Sequence, residues 1–425
     1  MDKYQVKTLE RKKEIIVSVP GSKSITNRAL LMAALSEQRV TLRGALFSDD
    51  SRYFLQSLKD LGFQTDIDEK NKNVVINGTG GVIPYNNVSI YVGSAGTAAR
   101  FLTAMLGLSG GTYIINASEQ MKKRPMKPLF EALEQLGTRF EYLEKEYFLP
   151  VKVLGRENGT HKVTLDIEKT SQPLSALLMT GLMIKGGLEI CITGEKKTGS
   201  YVEITRKMME SFGCETDFDG TSYFVPEGSK YGIQEYQIEP DVSAACYFYG
   251  IAAITGGSAV VRNVHLDTLQ GDIRFTEVLE QMGCSVEDTE SGIRVLAPPD
   301  GILHGVTVDM NNFSDQALTL AVLAIFADAP VTIKNIGHIR LQECDRIQAI
   351  VENMMRLGIK CEEKKDEITV YPGATKAAEI ETFEDHRVAM AFTLAGLVRQ
   401  GITILNPMCC KKTFENYYEV IESLY

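Results

Sequence analysis

Polar and charged residues collect at the points where the sequence predicts that helices begin. Six stretches of small and apolar residues each follow a polar segment, and these segments lie at 20–28, 93–100, 170–173, 239–243, 311–316 and 384–387. A helix N-terminus carries unpaired N–H groups and a partial positive charge, so each segment is a potential anion site. Ordinary N-capping by Ser, Thr, Asp and Asn is the alternative interpretation of any single segment.

Capping does not account for the arginines in or beside the predicted helix starts. They are Arg28, Arg100, Arg124, Arg346 and Arg387. Positive charge in a first turn opposes the helix dipole unless an anion lies there. Gly96 would let a ligand approach the backbone closely, and the carboxylates of Asp315 and Glu343 are available for proton transfer. A solvated N-cap at Asp315 and a surface charge at Glu343 remain open alternatives.

Several other kinds of chemistry are excluded by the motifs that the chain lacks. It contains no P-loop, no dinucleotide-binding fingerprint followed by an acidic residue, and no Gly-x-Ser-x-Gly motif. Its eight cysteines include no Cys-x-x-Cys pair, so we expect neither a structural zinc site nor a disulfide framework, and we expect a reducing cytosol.

The overall charge and hydropathy narrow the possible partners. With 45 Lys and Arg against 55 Asp and Glu, the net charge of −10 argues against a general nucleic-acid binder. It does not argue against small anionic ligands. The N-terminus lacks the apolar core of a signal peptide, and no apolar run approaches the roughly 18 residues of a membrane span. We therefore expect a cytoplasmic protein without nucleic-acid or membrane partners, and a monomer.

The elements that must position these residues recur along the chain. Five amphipathic stretches end in a bulky residue and a glycine, and their glycines are Gly62, Gly137, Gly213, Gly283 and Gly358. These glycines are 75, 76, 70 and 75 residues apart. They alternate with the apolar stretches 29–35, 99–108, 176–184, 244–254, 317–327 and 388–398, which are typical of buried helices. The spacing predicts six α/β repeats of about 70 residues.

Six repeats divide naturally into two lobes, because one core for 425 residues is larger than a single domain normally supports. Repeats four to six would form one lobe from residues 239–425. Residues 1–19 would join this lobe, because the predicted strand at 14–19 crosses into it from the N-terminal part of the chain. Repeats one to three would form the other from 20–238. Pro and Gly place hinges near 19–21 and 238–240.

The motifs, taken in order, resemble those of the 5-enolpyruvylshikimate-3-phosphate synthases, a family of enolpyruvyl transferases. The matching segments are 20–30, 96–100, 124–125, 171–172, Asp315, 343–346, 385–387 and 412–414, and they cover essentially the whole chain. The resemblance implies an inside-out α/β barrel fold of two lobes, each with three βαβαββ repeats, that close over a cleft. It also implies transfer of the enolpyruvyl group of phosphoenolpyruvate to the 5-hydroxyl of shikimate 3-phosphate, without metal or organic cofactor, in chorismate and aromatic amino-acid biosynthesis.

The resemblance further implies a role for individual residues. Phosphoenolpyruvate would be bound by Lys23, Gly96, Arg124, Gln172, Arg346, Arg387 and Lys412. Shikimate 3-phosphate would be bound by Lys23, Ser24, Arg28, Thr170, Ser171, Gln172, Thr198, Asp315, His338 and Gln342. Asp315 would take the proton of the attacking hydroxyl, and Glu343 and Lys23 would exchange protons with the methylene carbon and the departing phosphate. His386 would support the site by hydrogen bonding or would be a packed structural residue.

Three positions depart from the family pattern. Gln342 replaces a usual Lys, Ser94 a usual Asn, and His338 a frequent Asn. We hypothesise that a protonated His338 partly replaces the missing Lys charge. Two alternative functions remain. One is a UDP-N-acetylglucosamine enolpyruvyl transferase, although that family has a reactive Cys in the loop corresponding to 119–128 and this chain has none there. The other is a homologue that binds the anions without turnover.

Overall fold

A computed structural model describes residues 2–10, 13–156 and 159–425. Contacts between residues divide the chain into two compact units. Unit 1 consists of Met1–Pro20 and Glu239–Tyr425, and unit 2 is Gly21–Ile238. Each unit is built from short strands and helices that alternate along the chain.

The regular elements are the following. The strands are β1 (Lys3–Gln5), β2 (Glu14–Val17), β3 (Arg39–Arg43), β4 (Thr65–Asp68), β5 (Asn73–Asn77), β6 (Asn87–Tyr91), β7 (Thr112–Asn116), β8 (Thr138–Tyr142), β9 (Val151–Arg156), β10 (Lys162–Asp166), β11 (Leu188–Thr193), β12 (Asp217–Phe218), β13 (Ser222–Val225), β14 (Glu235–Gln237), β15 (Ser258–Val261), β16 (Ser285–Thr289), β17 (Gly292–Leu296), β18 (Thr307–Asp309), β19 (Val331–Lys334), β20 (Cys361–Glu363), β21 (Ile368–Val370), β22 (Ala378–Ile380) and β23 (Ile402–Leu405). The α-helices are α1 (Lys23–Leu35), α2 (Asp49–Asp60), α3 (Gly96–Gly107), α4 (Glu119–Lys122), α5 (Lys127–Gln135), α6 (Gln172–Thr180), α7 (Ser200–Ser211), α8 (Val242–Thr255), α9 (Phe275–Gln281), α10 (Ala317–Ala324), α11 (Arg346–Leu357), α12 (His386–Val398) and α13 (Tyr417–Glu422). Short 3₁₀ helices lie at Gly181–Met183, Gly271–Arg274, Ser314–Gln316, Gly337–Leu341 and Pro407–Lys412.

Unit 2 contains three four-stranded sheets of the same topology. Their strand orders are β14-β3-β5-β4, β6-β7-β9-β8 and β10-β11-β13-β12. In each sheet the first two strands are parallel and the last two form an antiparallel hairpin. The second and third sheets follow the chain order βαβαββ. In the first sheet, β14 comes from the end of the unit and pairs in parallel with β3, with Glu235 opposite Thr41.

Unit 1 repeats this plan with two variations at its ends. Its sheets have the orders β16-β17-β15-β2, β18-β19-β21-β20 and β1-β23-β22. Strand β2, from the N-terminal part of the chain, pairs in parallel with β15, with Glu14 opposite Ser258. In the last sheet, β1 pairs antiparallel with β23 where the other repeats have their hairpin. The predicted six repeats are therefore confirmed, and terminal strands complete the first sheet of unit 2 and two sheets of unit 1.

One helix of each repeat lies in the core, because it carries almost no charge. Nearly all residues of α1, α3, α6, α8, α10 and α12 are buried. Most of these helices begin earlier than predicted, since residues such as Lys23, Gly96 and His386 belong to their first turns. The second helix of most repeats buries one face only.

Glycine ends these outer helices as predicted. Gly62, Gly137, Gly213, Gly283 and Gly358 all have positive φ, between 77° and 99°. Only glycine adopts this backbone conformation without strain. Across the described residues, no helix combines the length and the apolar character needed to cross a membrane.

Candidate active site

Arg346 is the centre of a charged cluster in unit 1. It is the first residue of α11, and its guanidinium is 1% exposed. It lies 2.8 Å from Asp315 Oδ1, 2.9 Å from Glu343 Oε2 and 2.8 Å from Asp385 Oδ2. Burial lowers the pKa of Arg346, but Asp385, Glu343 and Asp315 together raise it well above its ordinary value. Arg346 is thus a permanent cation that orients three carboxylates.

Two further cations extend this cluster. Arg387 Nη2 lies 2.9 Å from Asp315 Oδ2, and Lys412 Nζ lies 3.3 Å from Glu343 Oε1. Asp315 therefore bridges two guanidiniums, and Glu343 bridges a guanidinium and an ammonium. We call Asp315, Glu343, Arg346, Asp385, Arg387 and Lys412 the unit 1 cluster. Side chains in it are at most 16% exposed, so its ion pairs are only weakly screened by solvent.

Asp385 is a member of the cluster to which the sequence assigned no role. It is the N-cap of α12, and its side chain accepts a hydrogen bond from the Arg387 N–H at 2.8 Å. The same carboxylate accepts from Arg346 Nε, so it joins the starts of α11 and α12. An Asp directly before a basic residue at a helix start was the available signal. His386 Nδ1 lies 3.7 Å from Asp385, which is longer than a hydrogen bond, and its predicted supporting role stays open.

His338 and Gln342 lie on the segment that leads to Glu343. His338 belongs to the 3₁₀ helix Gly337–Leu341, and its Nε2 is 2.7 Å from the hydroxyl of Ser314, the residue before Asp315. Gln342 follows this helix directly. Arg340 bonds to Asp345 at 3.0 Å and to Glu363 at 2.8 Å, which anchors the segment. Both predicted ligands of shikimate 3-phosphate thus lie within a few residues of the unit 1 cluster.

In unit 2, Lys23 begins α1 and faces an acid that the sequence did not single out. Lys23 Nζ lies 3.7 Å from Asp50 Oδ2, and the Asp50 side chain is 2% exposed. The other oxygen, Oδ1, is buried and has no hydrogen-bond partner among the described residues. Asp50 is the second residue of α2, and only its burial marks it as more than a helix-start acid.

Arg28 is buried among neutral groups. Its guanidinium donates to the hydroxyls of Thr205 at 2.8 Å and Ser175 at 3.2 Å, and to the carbonyls of Ser24 and Tyr201. Burial lowers the pKa of Arg28 to about 10. Arg28 is the sixth residue of α1, one turn further in than predicted, but its bond to the Ser24 carbonyl turns it back toward the helix start. The same holds for Arg100 in α3, whose Nη1 donates to the Gly96 carbonyl at 3.0 Å.

Position 96 requires glycine because the side chain of Arg124 occupies the space that a Cβ atom would fill. A Cβ atom at this position would lie 2.5 Å from Arg124 Nη1 and 2.8 Å from Arg124 Cζ. The guanidinium of Arg124 therefore packs directly on the first residue of α3. Arg100 Nη2 donates to the Pro125 carbonyl at 3.2 Å, so it ties the Arg124 segment to α3. The sequence predicted a close approach at Gly96, and in this structure Arg124 makes it.

The remaining predicted ligands lie around the starts of α6 and α7. The Gln172 N–H donates to Thr170 Oγ1 at 3.3 Å, and Gln172 Oε1 is buried without a hydrogen-bond partner among the described residues. Ser171 is the N-cap of α6 but its side chain does not cap the helix. Thr198 Oγ1 donates to Glu203, in the first turn of α7, at 3.1 Å.

Helix capping differs among the helices whose starts carry predicted ligands or buried acids. The carboxylates of Asp241, Asp345 and Asp385 cap α8, α11 and α12. At α1, α3 and α6 the N-cap residues make no side-chain cap bond. Capping therefore explains three of the Asp residues at helix starts, but not the hydroxyl residues before α1 and α6.

No disulfide joins the eight cysteines, all of which are in the described part of the chain. Cys344, next to Glu343, has its pKa raised by burial and by Asp385, so its thiol is a poor nucleophile. Within the described ranges no group of three or more His, Cys, Asp or Glu residues could hold a metal ion.

Comparisons with known proteins agree with one another. Residues 10–421 match the family model described as EPSP synthase (3-phosphoshikimate 1-carboxyvinyltransferase). The chain is 40% identical to the 3-phosphoshikimate 1-carboxyvinyltransferase of Trichormus variabilis, over 98% of each chain. It is 39% identical to the chloroplastic protein of that name from Arabidopsis thaliana, over 99% of this chain and 86% of the relative. A solved EPSP synthase from Acinetobacter baumannii, 24% identical, has a TM-score of 0.83 over 100% of this chain and 98% of its own, and this likeness confirms the predicted fold class.

Proposed function

The chain belongs to the EPSP synthase (3-phosphoshikimate 1-carboxyvinyltransferase) family, and we propose that the charged residues of its two units bind and convert the substrates of this reaction. It is a transferase of the shikimate pathway, and the reaction moves an enolpyruvyl group from phosphoenolpyruvate to the 5-hydroxyl of shikimate 3-phosphate. The observation that carries the proposal is the unit 1 cluster, which combines two carboxylates suited to proton transfer with three cations suited to an anionic substrate.

Phosphoenolpyruvate is bound through its carboxylate and its phosphate. Arg346, Arg387 and Lys412 supply the cations of unit 1, and a planar guanidinium matches either group with two parallel hydrogen bonds. Each of these cations already faces Asp315 or Glu343, so the substrate anion adds to an ion-pair network. In unit 2 the same ligand is assigned to Lys23, Gly96, Arg124 and Gln172.

Shikimate 3-phosphate is assigned mainly to unit 2. Its ligands there are Lys23, Ser24, Arg28, Thr170, Ser171, Gln172 and Thr198, joined by Asp315, His338 and Gln342 of unit 1. The burial of Arg28 among neutral partners supports this assignment, because a desolvated cation gains most from an incoming anion. The start of α1, which has no side-chain cap, leaves N–H groups for phosphate oxygens.

The proton transfers are assigned to three residues. Asp315 takes the proton of the 5-hydroxyl as the hydroxyl oxygen bonds to C2 of phosphoenolpyruvate, while Glu343 and Lys23 exchange protons with the methylene carbon and the departing phosphate. The tetrahedral adduct then returns a proton from the new methyl group to one of these two residues and expels phosphate, which restores the double bond. We propose that these steps use no metal and no organic cofactor.

One assay tests the proposal. Phosphate release from phosphoenolpyruvate is measured with shikimate 3-phosphate, with UDP-N-acetylglucosamine and with no acceptor. We expect release only with shikimate 3-phosphate. Release only with the sugar nucleotide would identify the related transferase instead, and no release with either acceptor would indicate a homologue that binds without turnover.

We also propose that the two units are the two lobes, with hinges near 19–21 and 238–240, and that the protein is a cytoplasmic monomer. The Pro and Gly residues at the two junctions support the hinges. The absence of Cys-x-x-Cys motifs from the sequence supports a reducing cytoplasmic location. Light scattering with purified protein tests the oligomeric state, and a mass of about two chains would contradict a monomer.

A further inference from the structure

An acid without an assigned role lies buried behind the unit 1 cluster. Asp272 belongs to the 3₁₀ helix Gly271–Arg274 and is 7% exposed. Its Oδ2 accepts a short hydrogen bond from the Ser243 hydroxyl and a 3.0 Å bond from Gln316 Nε2. Ser243 is in the first turn of α8, and Gln316 follows Asp315 directly. The carboxylate thus joins three elements of unit 1.

The Ser243 hydroxyl connects this acid to Arg387. A hydroxyl has one hydrogen, and in this geometry Ser243 donates it to Asp272. Its lone pairs are then available to Arg387 Nη2, which lies 3.4 Å from the Ser243 oxygen. Arg387 is therefore held from two directions, by Asp315 at 2.9 Å and by the hydroxyl that Asp272 orients.

We propose that Asp272 is a positioning residue that acts through the Ser243 hydroxyl to hold Arg387 in place for phosphoenolpyruvate. This inference rests on the proposed function of Arg387 as a ligand of that substrate. The physical need arises at Asp315, because its carboxylate pairs with both Arg346 and Arg387 and is shared between them. Asp272 and Ser243 hold the Arg387 guanidinium from a second side while phosphoenolpyruvate binds.

The charges around Asp272 fit this role. Burial, and then the neighbouring Asp315 charge, raise the pKa of Asp272 to about 6, while Arg387, Ser243 and Gln316 act in the opposite direction. Asp272 is therefore ionised at neutral pH, which makes it an acceptor only, and both of its hydrogen-bond partners must donate to it.

The test compares two substitutions in steady-state kinetics. Asp272→Asn keeps the side-chain volume but replaces the charged acceptor of both hydrogen bonds with a neutral amide, so charge no longer holds the Ser243 hydroxyl as a donor, and Ser243→Ala removes the connection. For both we expect KM for phosphoenolpyruvate to rise about tenfold, the effect of one lost hydrogen bond to a charged group. KM for shikimate 3-phosphate and kcat should change less than about threefold. Asp328→Asn, a surface acid of the same unit paired with His304, is the matched control and should leave all three constants unchanged.

A double-mutant cycle separates positioning from general damage to the fold. If Asp272 acts through Arg387, adding Asp272→Asn to Arg387→Lys should cause less than a twofold further change in KM for phosphoenolpyruvate. A further tenfold change, or equal losses in both KM values, would overturn the inference. If Arg387→Lys alone left KM for phosphoenolpyruvate unchanged, the proposed role of Arg387 itself would be wrong. If Arg387→Lys raised KM for phosphoenolpyruvate and Asp272→Asn left it unchanged, the positioning role of Asp272 would be refuted, while the proposed role of Arg387 would stand.

Discussion

The most deeply buried functional cation of each unit, Arg346 in unit 1 and Arg28 in unit 2, lies in an opposite electrostatic environment. In unit 1, Arg346 faces three carboxylates and Arg387 faces one, with the charges paired before any substrate binds. In unit 2, the equally buried Arg28 donates, among the residues that the structure describes, only to hydroxyls and carbonyls. This difference matches the assigned chemistry: a network that moves protons needs fixed acids beside its cations, whereas a phosphate site gains affinity when its cation lacks an internal partner.

The largest effect is expected at the acid that unit 1 holds between two guanidiniums. Asp315→Asn keeps the side-chain shape but removes the base, and its single amide oxygen can accept a hydrogen bond from only one of Arg346 and Arg387. Since general base catalysis contributes about 10²–10⁴-fold, we expect kcat to fall about 10³-fold, a much larger change than in either KM. Asp309→Asn, an exposed acid of unit 1 bonded to Asn335, should behave as wild type. A kcat within tenfold of the wild-type value would show that Asp315 is not the base.

The second prediction tests the comparison through stability. Arg346→Met removes the arginine partner of buried Asp385 and one of the two cations that face Asp315 and Glu343, which costs about 3–5 kcal/mol. Arg28→Met removes a buried charge from neutral partners, and we expect a destabilisation below about 2 kcal/mol. Thermal unfolding without ligand checks this: the midpoint should fall by about 10 °C for Arg346→Met and by much less for Arg28→Met.

Adding substrate to the same measurement sharpens the contrast. Shikimate 3-phosphate should raise the wild-type midpoint by mass action, and this shift should be lost in Arg28→Met. Equal destabilisation by the two substitutions without ligand would remove the electrostatic distinction between the units. A full ligand shift in Arg28→Met would remove Arg28 from the phosphate site.

Local sequence properties predicted the scaffold because they report local physics. The near absence of charge in α8 and α10 marked them as core helices, and the glycines after the outer helices marked left-handed C-termini. The terminal strands were harder. The crossing of β2 into unit 1 was predicted, but the pairing of β14 with β3 depends on chain ends that meet only in the folded unit.

The site was predicted through its basic residues and only partly through its acids. Arginine at a helix start is unfavourable, so Arg346 and Arg387 stood out. The acids Asp50, Asp272 and Asp385 did not stand out, because an acid at a helix start is common. The residue that each of them contacts lies far away in the sequence. Asp385 pairs with Arg346, 39 residues away, and no local pattern reports such a contact.

The third prediction concerns the pH dependence of stability that arises from Asp272, a buried acid of unit 1. A pKa raised to about 6 means that the folded protein binds this proton more tightly than the unfolded chain does. Ionisation of Asp272 therefore opposes folding, and its cost appears as pH rises from about 4 to 6, reaching about 3 kcal/mol. Asp272→Asn lacks this cost, so its unfolding midpoint should rise relative to wild type between pH 4.5 and pH 7. Parallel pH profiles for the two proteins would contradict the raised pKa.

The smallest effect is expected at Gln342, where unit 1 lacks a cation that the family usually has. Gln342→Lys restores it, and at partial exposure we expect about a two- to fivefold lower KM for shikimate 3-phosphate, in keeping with the modest energy of partly screened charges. If His338 compensates for the missing lysine, His338→Asn should raise that KM in the wild-type background and raise it less in Gln342→Lys. The His338 ring, bonded to Ser314 beside Asp315, is placed to act on this part of the site. Unchanged affinity and rate in Gln342→Lys would mean that unit 1 needs no further cation here, and the hypothesis that His338 compensates for the missing lysine would lose its basis.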